Sequence, residues 1–144
     1  MESPFGSASK LEEIKRALTE TQYALITITH VDTSSGVVQD IKSIAELVQQ
    51  VSPSTLIAID GVCSVAAQEI QMDAWGLDIV MTASQKALGT PPGLAVMVVS
   101  QRALNKALNR TSAATSYFGS FKKWLPIMQK YEGLLILFYY IAWF

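Results

Sequence analysis

The sequence predicts an α/β domain built on a largely parallel sheet. Three observations carry that reading. Short β-branched runs alternate along the chain with amphipathic helical stretches, a pattern that folds into layered α/β architecture. Several of those runs are continuously apolar, as strands buried on both faces require. Polar and ionisable residues gather where the runs end.

Residues 10–20 (KLEEIKRALTE) place Leu11, Ile14 and Leu18 on one face, with charges opposite, and predict a short helix. Residues 23–29 (YALITIT) form a β-branched run and predict a buried strand. HVDTSSG follows, rich in turn and capping residues. Asp40 then opens DIKSIAELVQQV, whose Ile41, Ile44, Ala45, Leu47, Val48 and Val51 share one helical face, and Pro53 ends that helix. Residues 55–60 (TLIAID), 77–82 (LDIVMT) and 94–100 (LAVMVVS) predict three further strands, and residues 101–109 a helix. Only eleven residues separate Thr82 from Leu94, and they include Gly89, Pro91, Pro92 and Gly93. A parallel crossover needs a dozen or more residues. The fourth strand is therefore expected to run antiparallel to its neighbour, as an edge-type exception. No internal repeat or low-complexity linker interrupts the pattern.

Composition narrows the function classes. The chain has 144 residues, 50% of them hydrophobic and 16% charged, enough for one domain with a sizeable core. Eleven basic residues face twelve acidic ones, for a net charge of −1. That balance argues against a nucleic-acid surface and against a polybasic membrane contact. Cys63 is the single cysteine and His30 the single histidine, which excludes a disulfide scaffold and a structural zinc site. The amino-terminal segment has no apolar core run, so no signal peptide is expected. Residues 133–144 (GLLILFYYIAWF) are uncharged but too short to span a bilayer, which needs roughly 20 apolar residues. They read either as a buried strand or helix, or as a tail foreign to the fold.

The strand ends carry the candidate chemistry. His30, Asp32, Thr33, Ser34 and Ser35 follow the first strand, Asp60 ends the second, and Ser84, Gln85 and Lys86 follow the third. In open α/β sheets, ligands bind in the crevice at such ends. Lys86 reads either as a solvated surface lysine or as an amine held to form an imine with a carbonyl. Asp60 reads either as a turn carboxylate or as the partner of a cationic ring nitrogen. An imine lysine with such an aspartate is what pyridoxal phosphate requires. His30 is a turn residue or faces the cofactor, and Thr33, Ser34 and Ser35 are site residues or caps for the helix after Asp40. Trp75, Trp124 and the methionines read as packing.

Two stretches, THVDTSSGVVQD (29–40) and IDGVCSVAAQEIQMDAWGLDIVMTASQKALGTPPG (59–93), resemble the class V aminotransferases. They are most similar to the alanine–glyoxylate and serine–pyruvate group, in wording close to fungal members. The resemblance covers residues 19–132, and SQKAL-x-x-PPG with an upstream D-x-V-x-S is a specific combination. It implies the central part of the large domain of the fold-type I pyridoxal-phosphate architecture, with a mostly parallel sheet, one antiparallel strand and flanking helices. Residues 1–132 would be that partial domain, and 133–144 an apolar tail unlike the family. Lys86 would form the internal aldimine and then shuttle a proton at the substrate Cα. Asp60 would pair with the pyridinium nitrogen, Val62 would pack on a ring face, Thr33 would bond near the phenolic oxygen, and Gln85 would contact the phosphate. An amino group would pass from alanine or serine to glyoxylate or pyruvate, small amino-acid and 2-oxo-acid substrates, in a homodimer.

The departures are equally concrete. Family chains are more than twice this length. The glycine-rich phosphate loop, the stacking aromatic residue and the substrate-carboxylate arginine of the family have no counterpart here. The expectation is therefore double: an aminotransferase by resemblance, or a truncated product that binds cofactor weakly or pairs with a full-length subunit. Hydride transfer is a poor alternative because no GxGxxG follows a strand, and desulfuration is poor because Cys63 lies beside a strand end. An intracellular location is expected. Peroxisome, mitochondrion and cytoplasm are not distinguished, although the carboxyl terminus lacks an SKL-type signal.

Overall fold

The computed structural model describes residues 3–130 and 136–140. Helix α1 (Leu11–Glu20) precedes strand β1 (Leu25–Thr29). A small hairpin follows, β2 (Val31–Asp32) and β3 (Val37–Val38), then helix α2 (Ile41–Val51). Strands β4 (Leu56–Asp60), β5 (Ile79–Ala83) and β6 (Leu94–Val99) lead to helices α3 (Gln101–Leu108) and α4 (Phe121–Lys130), and strand β7 (Ile136–Tyr140) closes the series.

The main sheet has the order β1-β4-β5-β6-β7. β1, β4 and β5 run parallel, whereas β6 runs antiparallel to both β5 and β7. The register sets Thr29 level with Asp60, and Asp60 level with Met81. The short Gly/Pro connection thus produces the reversed strand that its length demands. That strand is not at an edge, however, because β7 lies outside it. The rest of the apolar stretch around β7 lies outside the described residues.

Alternation of side chains divides the core into two layers. On one face Ile28, Ile57, Ile59 and Val80 pack under Ile14 and Leu18 of α1 and Ile41, Ile44 and Val48 of α2. On the other, Leu56, Ile79 and Met97 meet Ala103 and Leu104 of α3 and Phe121, Trp124 and Met128 of α4. Each fully buried Ile or Val contributes roughly 1.5–3 kcal/mol, so these layers hold the sheet rigid beneath its carboxyl edge.

Two further expectations are corrected. β1 is not a buried strand: Leu25 is 41% exposed and only Ile28 is buried. It has one sheet neighbour, and its Leu25, Thr27 and Thr29 face is uncovered. Ser34 and Ser35 do not cap α2, because their hydroxyls bond Asp32. Asp40 caps that helix itself, its Oδ1 accepting from the Ser43 N–H at 3.0 Å. Helix α4 was not expected, because Pro126 lies inside it and obscures the Phe121, Trp124, Leu125, Met128 spacing.

At the amino edge of the sheet, opposite the candidate site, Asp78 is almost wholly buried. It accepts from the Ile57 N–H (2.9 Å), the Ser100 hydroxyl (2.8 Å) and Arg102 Nε (2.8 Å), with a second contact from Arg102 Nη2. Arg102 also donates to the Pro53 carbonyl. Burial alone would raise the Asp78 pKa, but the Arg102, Ile57 and Ser100 hydrogen bonds and the Arg102 charge outweigh it and hold the carboxyl below its ordinary range. One carboxylate thereby ties β4, β5 and α3 together.

Candidate functional site

The parallel direction of β1, β4 and β5 brings their carboxyl ends to one edge. The ladder continues past the strands: the His30 N–H donates to the Asp60 carbonyl (3.0 Å) and the Gly61 N–H to the Met81 carbonyl (2.8 Å). Asp60 is half-buried, and its Oδ1 accepts from the Val62 N–H at 3.1 Å. No bond to Oδ2 is formed among the described residues. Gly61 then turns the chain, and the Ser64 and Val65 N–H groups donate to its carbonyl. A side chain does not fit at Gly61: a Cβ would lie 2.7 Å from Val65 Cγ2 and 3.1 Å from the Met81 carbonyl oxygen.

Lys86 sits three residues beyond the end of β5, the strand that pairs with the one ending at Asp60. Its loop is laced to the buried Ser84, whose hydroxyl donates to the Pro91 carbonyl at 2.6 Å. The Ser84 carbonyl accepts from both the N–H and the hydroxyl of Thr90, and the Ser84 N–H donates to the Leu94 carbonyl. The Gly89 N–H donates to the Lys86 carbonyl, with Gly89 at φ +68°, a conformation that glycine adopts cheaply. Lys86 and Gln85 are both exposed, and Lys86 makes no ion pair among the described residues.

Thr33 lies exposed at the tip of the β2–β3 hairpin. Asp32 organises that tip by accepting from the Ser34 N–H, the Ser34 hydroxyl and the Ser35 hydroxyl. The Ser35 and Ser34 bonds hold the Asp32 pKa below its usual value. His30 is only 5% exposed, and burial lowers its pKa, so the ring is neutral near pH 7.

Asp60 and Lys86 thus share one sheet edge, with Val62 in the turn beside Asp60. No hydrogen bond or ion pair joins Thr33, Asp60, Gln85 and Lys86 to one another among the described residues. A cleft of about 600 Å³ opens beside β1, lined by Thr27, Thr29, Asp32, Ser35 and Gln39 among others. Asp60 and Lys86 are not in its wall. Among the described residues, no three His, Cys, Asp or Glu side chains gather as metal ligands, and no helix is long and apolar enough to cross a membrane. Residue type alone did not reveal Ser64 and Thr82, buried polar residues at this same edge.

A mixed sheet with helices on both faces and an aspartate and a lysine at adjacent strand ends defines a class. The family model for aminotransferase class V matches residues 5–129, and the chain belongs to that family. It is 42% identical over 130 residues to alanine–glyoxylate aminotransferase 1 of Saccharomyces cerevisiae, covering 89% of this chain and 34% of that protein. It is 32% identical over 128 residues to serine–glyoxylate aminotransferase of Arabidopsis thaliana, covering 87% of this chain and 31% of that one. The crystal structure of alanine–glyoxylate aminotransferase from Nostoc sp. superposes with a TM-score of 0.79 at 30% identity, over 91% of this chain and 33% of that chain. The chain therefore spans about a third of the length of these relatives, and its mixed sheet has the fold of part of a fold-type I aminotransferase.

Proposed function

We propose that this chain carries the cofactor-anchoring part of a pyridoxal-phosphate-dependent aminotransferase that moves an amino group from alanine or serine to glyoxylate or pyruvate. The observation that carries the reading is the pairing of Asp60 and Lys86 at neighbouring carboxyl ends, in a chain so similar to alanine–glyoxylate aminotransferases. The residues present fit the cofactor. The Asp60 Oδ2 lacks a partner where a protonated ring nitrogen would need one, and the Lys86 amine is free of ion pairs among the described residues. When bound, pyridoxal phosphate supplies an electron sink for the charge that develops at the substrate Cα.

The chain's own residues do the rest. Lys86 would hold the cofactor through Nζ and, once released by substrate, move the proton at the substrate Cα. Asp60 would keep the ring nitrogen protonated, with its own orientation fixed by the Val62 N–H. Val62 would cover one ring face, Thr33 would donate near the phenolic oxygen, and Gln85 would meet the phosphate. A homodimer completes the proposal.

One observation favours a narrower reading for this chain by itself. Thr33, Gln85 and Lys86 are exposed, so cofactor would be held weakly, or only alongside a second, longer subunit. A spectral titration separates the two readings. Pyridoxal phosphate added to the chain is expected to give a protein-bound absorbance band that Lys86→Ala lacks and that alanine bleaches with release of pyruvate. A band without pyruvate supports the narrower reading, and an identical spectrum for Lys86→Ala contradicts both.

A further inference from the structure

Three buried polar atoms at the carboxyl edge have no protein partner among the described residues: His30 Nδ1, Ser64 Oγ and Thr82 Oγ1. They are not scattered. Thr29 is level with Asp60 and Asp60 with Met81, and the bonds from the His30 and Gly61 N–H groups carry that register one step further. His30, Gly61 and Thr82 therefore form the next row across three strands. Two residues earlier the same row positions hold Ile28, Ile59 and Val80, which share the α1/α2 face, so alternation assigns His30 and Thr82 to that face.

Gly61, between them, has no side chain. Val65 Cγ2 fills most of that space, 2.7 Å from where a Gly61 Cβ would be, and Ser64 Oγ borders it at 3.4 Å. The Cα atoms of His30 and Thr82 are two strand spacings apart, roughly 9.5 Å, with Gly61 between them and Ser64 Oγ beside Gly61. His30 is 5%, Ser64 0% and Thr82 7% exposed. Leaving three such groups unpaired would cost on the order of a lost hydrogen bond each. A buried water characteristically makes about three bonds to otherwise unsatisfied groups.

We propose that His30, Ser64 and Thr82 form one buried polar site that takes a single water molecule, and that this site positions the Asp60–Gly61–Val62 turn. A neutral imidazole offers one N–H and one lone pair, and each hydroxyl can donate or accept, so the set completes a water from three sides. Asp60 is adjacent in sequence to the glycine that Ser64 and Val65 border, and the Val62 N–H fixes its carboxylate. These three would act as positioning residues, through the turn that carries Asp60. The positioning role rests on the proposed function, whereas the shared water site does not.

His30 is the only histidine, so its ring nitrogens give unambiguous NMR signals. In the whole chain with ring-labelled histidine, Ser64→Ala and Thr82→Val are each expected to move the His30 ring nitrogen shifts, and Lys86→Ala is not. The His30 ring protons are expected to show cross-relaxation to a slowly exchanging water. Unmoved shifts in both variants, or no such water, would overturn the site. Thr82→Val is isosteric and carries the test if Ser64→Ala does not fold. For positioning, Ser64→Ala is expected to weaken pyridoxal phosphate binding about three- to tenfold, the worth of one hydrogen bond. Altered shifts with unchanged affinity would overturn the positioning role. If wild type and Lys86→Ala bind the cofactor identically, the proposed function fails and the positioning role falls with it. The shifts still decide the site.

Discussion

Asp60 ends a strand whose preceding residues, Ile57, Ala58 and Ile59, are all buried, so its backbone has little freedom. In the active protein, Asp60→Asn is expected to lower kcat about 10²-fold with a much smaller change in cofactor affinity, because the amide keeps the bulk but not the charge. Steady-state kinetics beside a cofactor titration checks this. Ala66 makes a different point. It has φ +71° without being glycine, a conformation that costs an L-residue about 1–2 kcal/mol. Ala66→Gly relieves it, less the entropy glycine adds to the unfolded chain, and is expected to stabilise by about 0.5–1 kcal/mol in urea unfolding. His30 supplies the pH dependence. Burial lowers its folded pKa below the unfolded value of about 6.5, so between the two the unfolded chain binds more protons. The His30 contribution to stability is thus complete above pH 7 and is lost as pH falls through about 6.5 towards the folded pKa. Urea midpoints are expected to drop between pH 7.5 and 5.5, and to drop less in His30→Gln.

At the scale of elements, the Asp78–Arg102 pair acts as a clamp across β4, β5 and α3. Arg102→Ala leaves a buried carboxylate with only the Ile57 N–H and the Ser100 hydroxyl, and is expected to cost about 3 kcal/mol in urea unfolding. The clamp was invisible in the sequence, since no spacing rule joins positions 78 and 102. What was legible had a local physical cause. Ile41, Ile44, Ala45 and Val48 repeat at helical spacing behind a capping aspartate, and α2 begins where that cap requires. The eleven residues between Thr82 and Leu94 were too few for a crossover, and β6 runs antiparallel as that length demands. What failed depended on neighbours. The apolar residues of β1 look like those of a central strand, yet only its position in the sheet order decides its exposure. The β2–β3 hairpin is too short for a periodic signal. Of the candidate site, the strand-end placement of Asp60 and Lys86 was readable from the pattern, whereas Ser64 and Thr82 gain meaning only through the row they share with His30.

The molecule as a whole divides its work between two edges of one sheet. The amino edge is locked by Asp78 and Arg102, and two apolar layers make the sheet rigid. The carboxyl edge gathers Asp60, Lys86 and the buried His30, Ser64 and Thr82 around a glycine turn, which is where open α/β sheets place their ligands. The central claim is that Lys86 is the covalent anchor at that edge. It is tested most directly by adding pyridoxal phosphate to the chain, reducing with borohydride and mapping the adduct by peptide mass spectrometry. The account predicts an adduct confined to Lys86. Adducts spread over Lys10, Lys15, Lys42 and the other exposed lysines, or none at all, would contradict it.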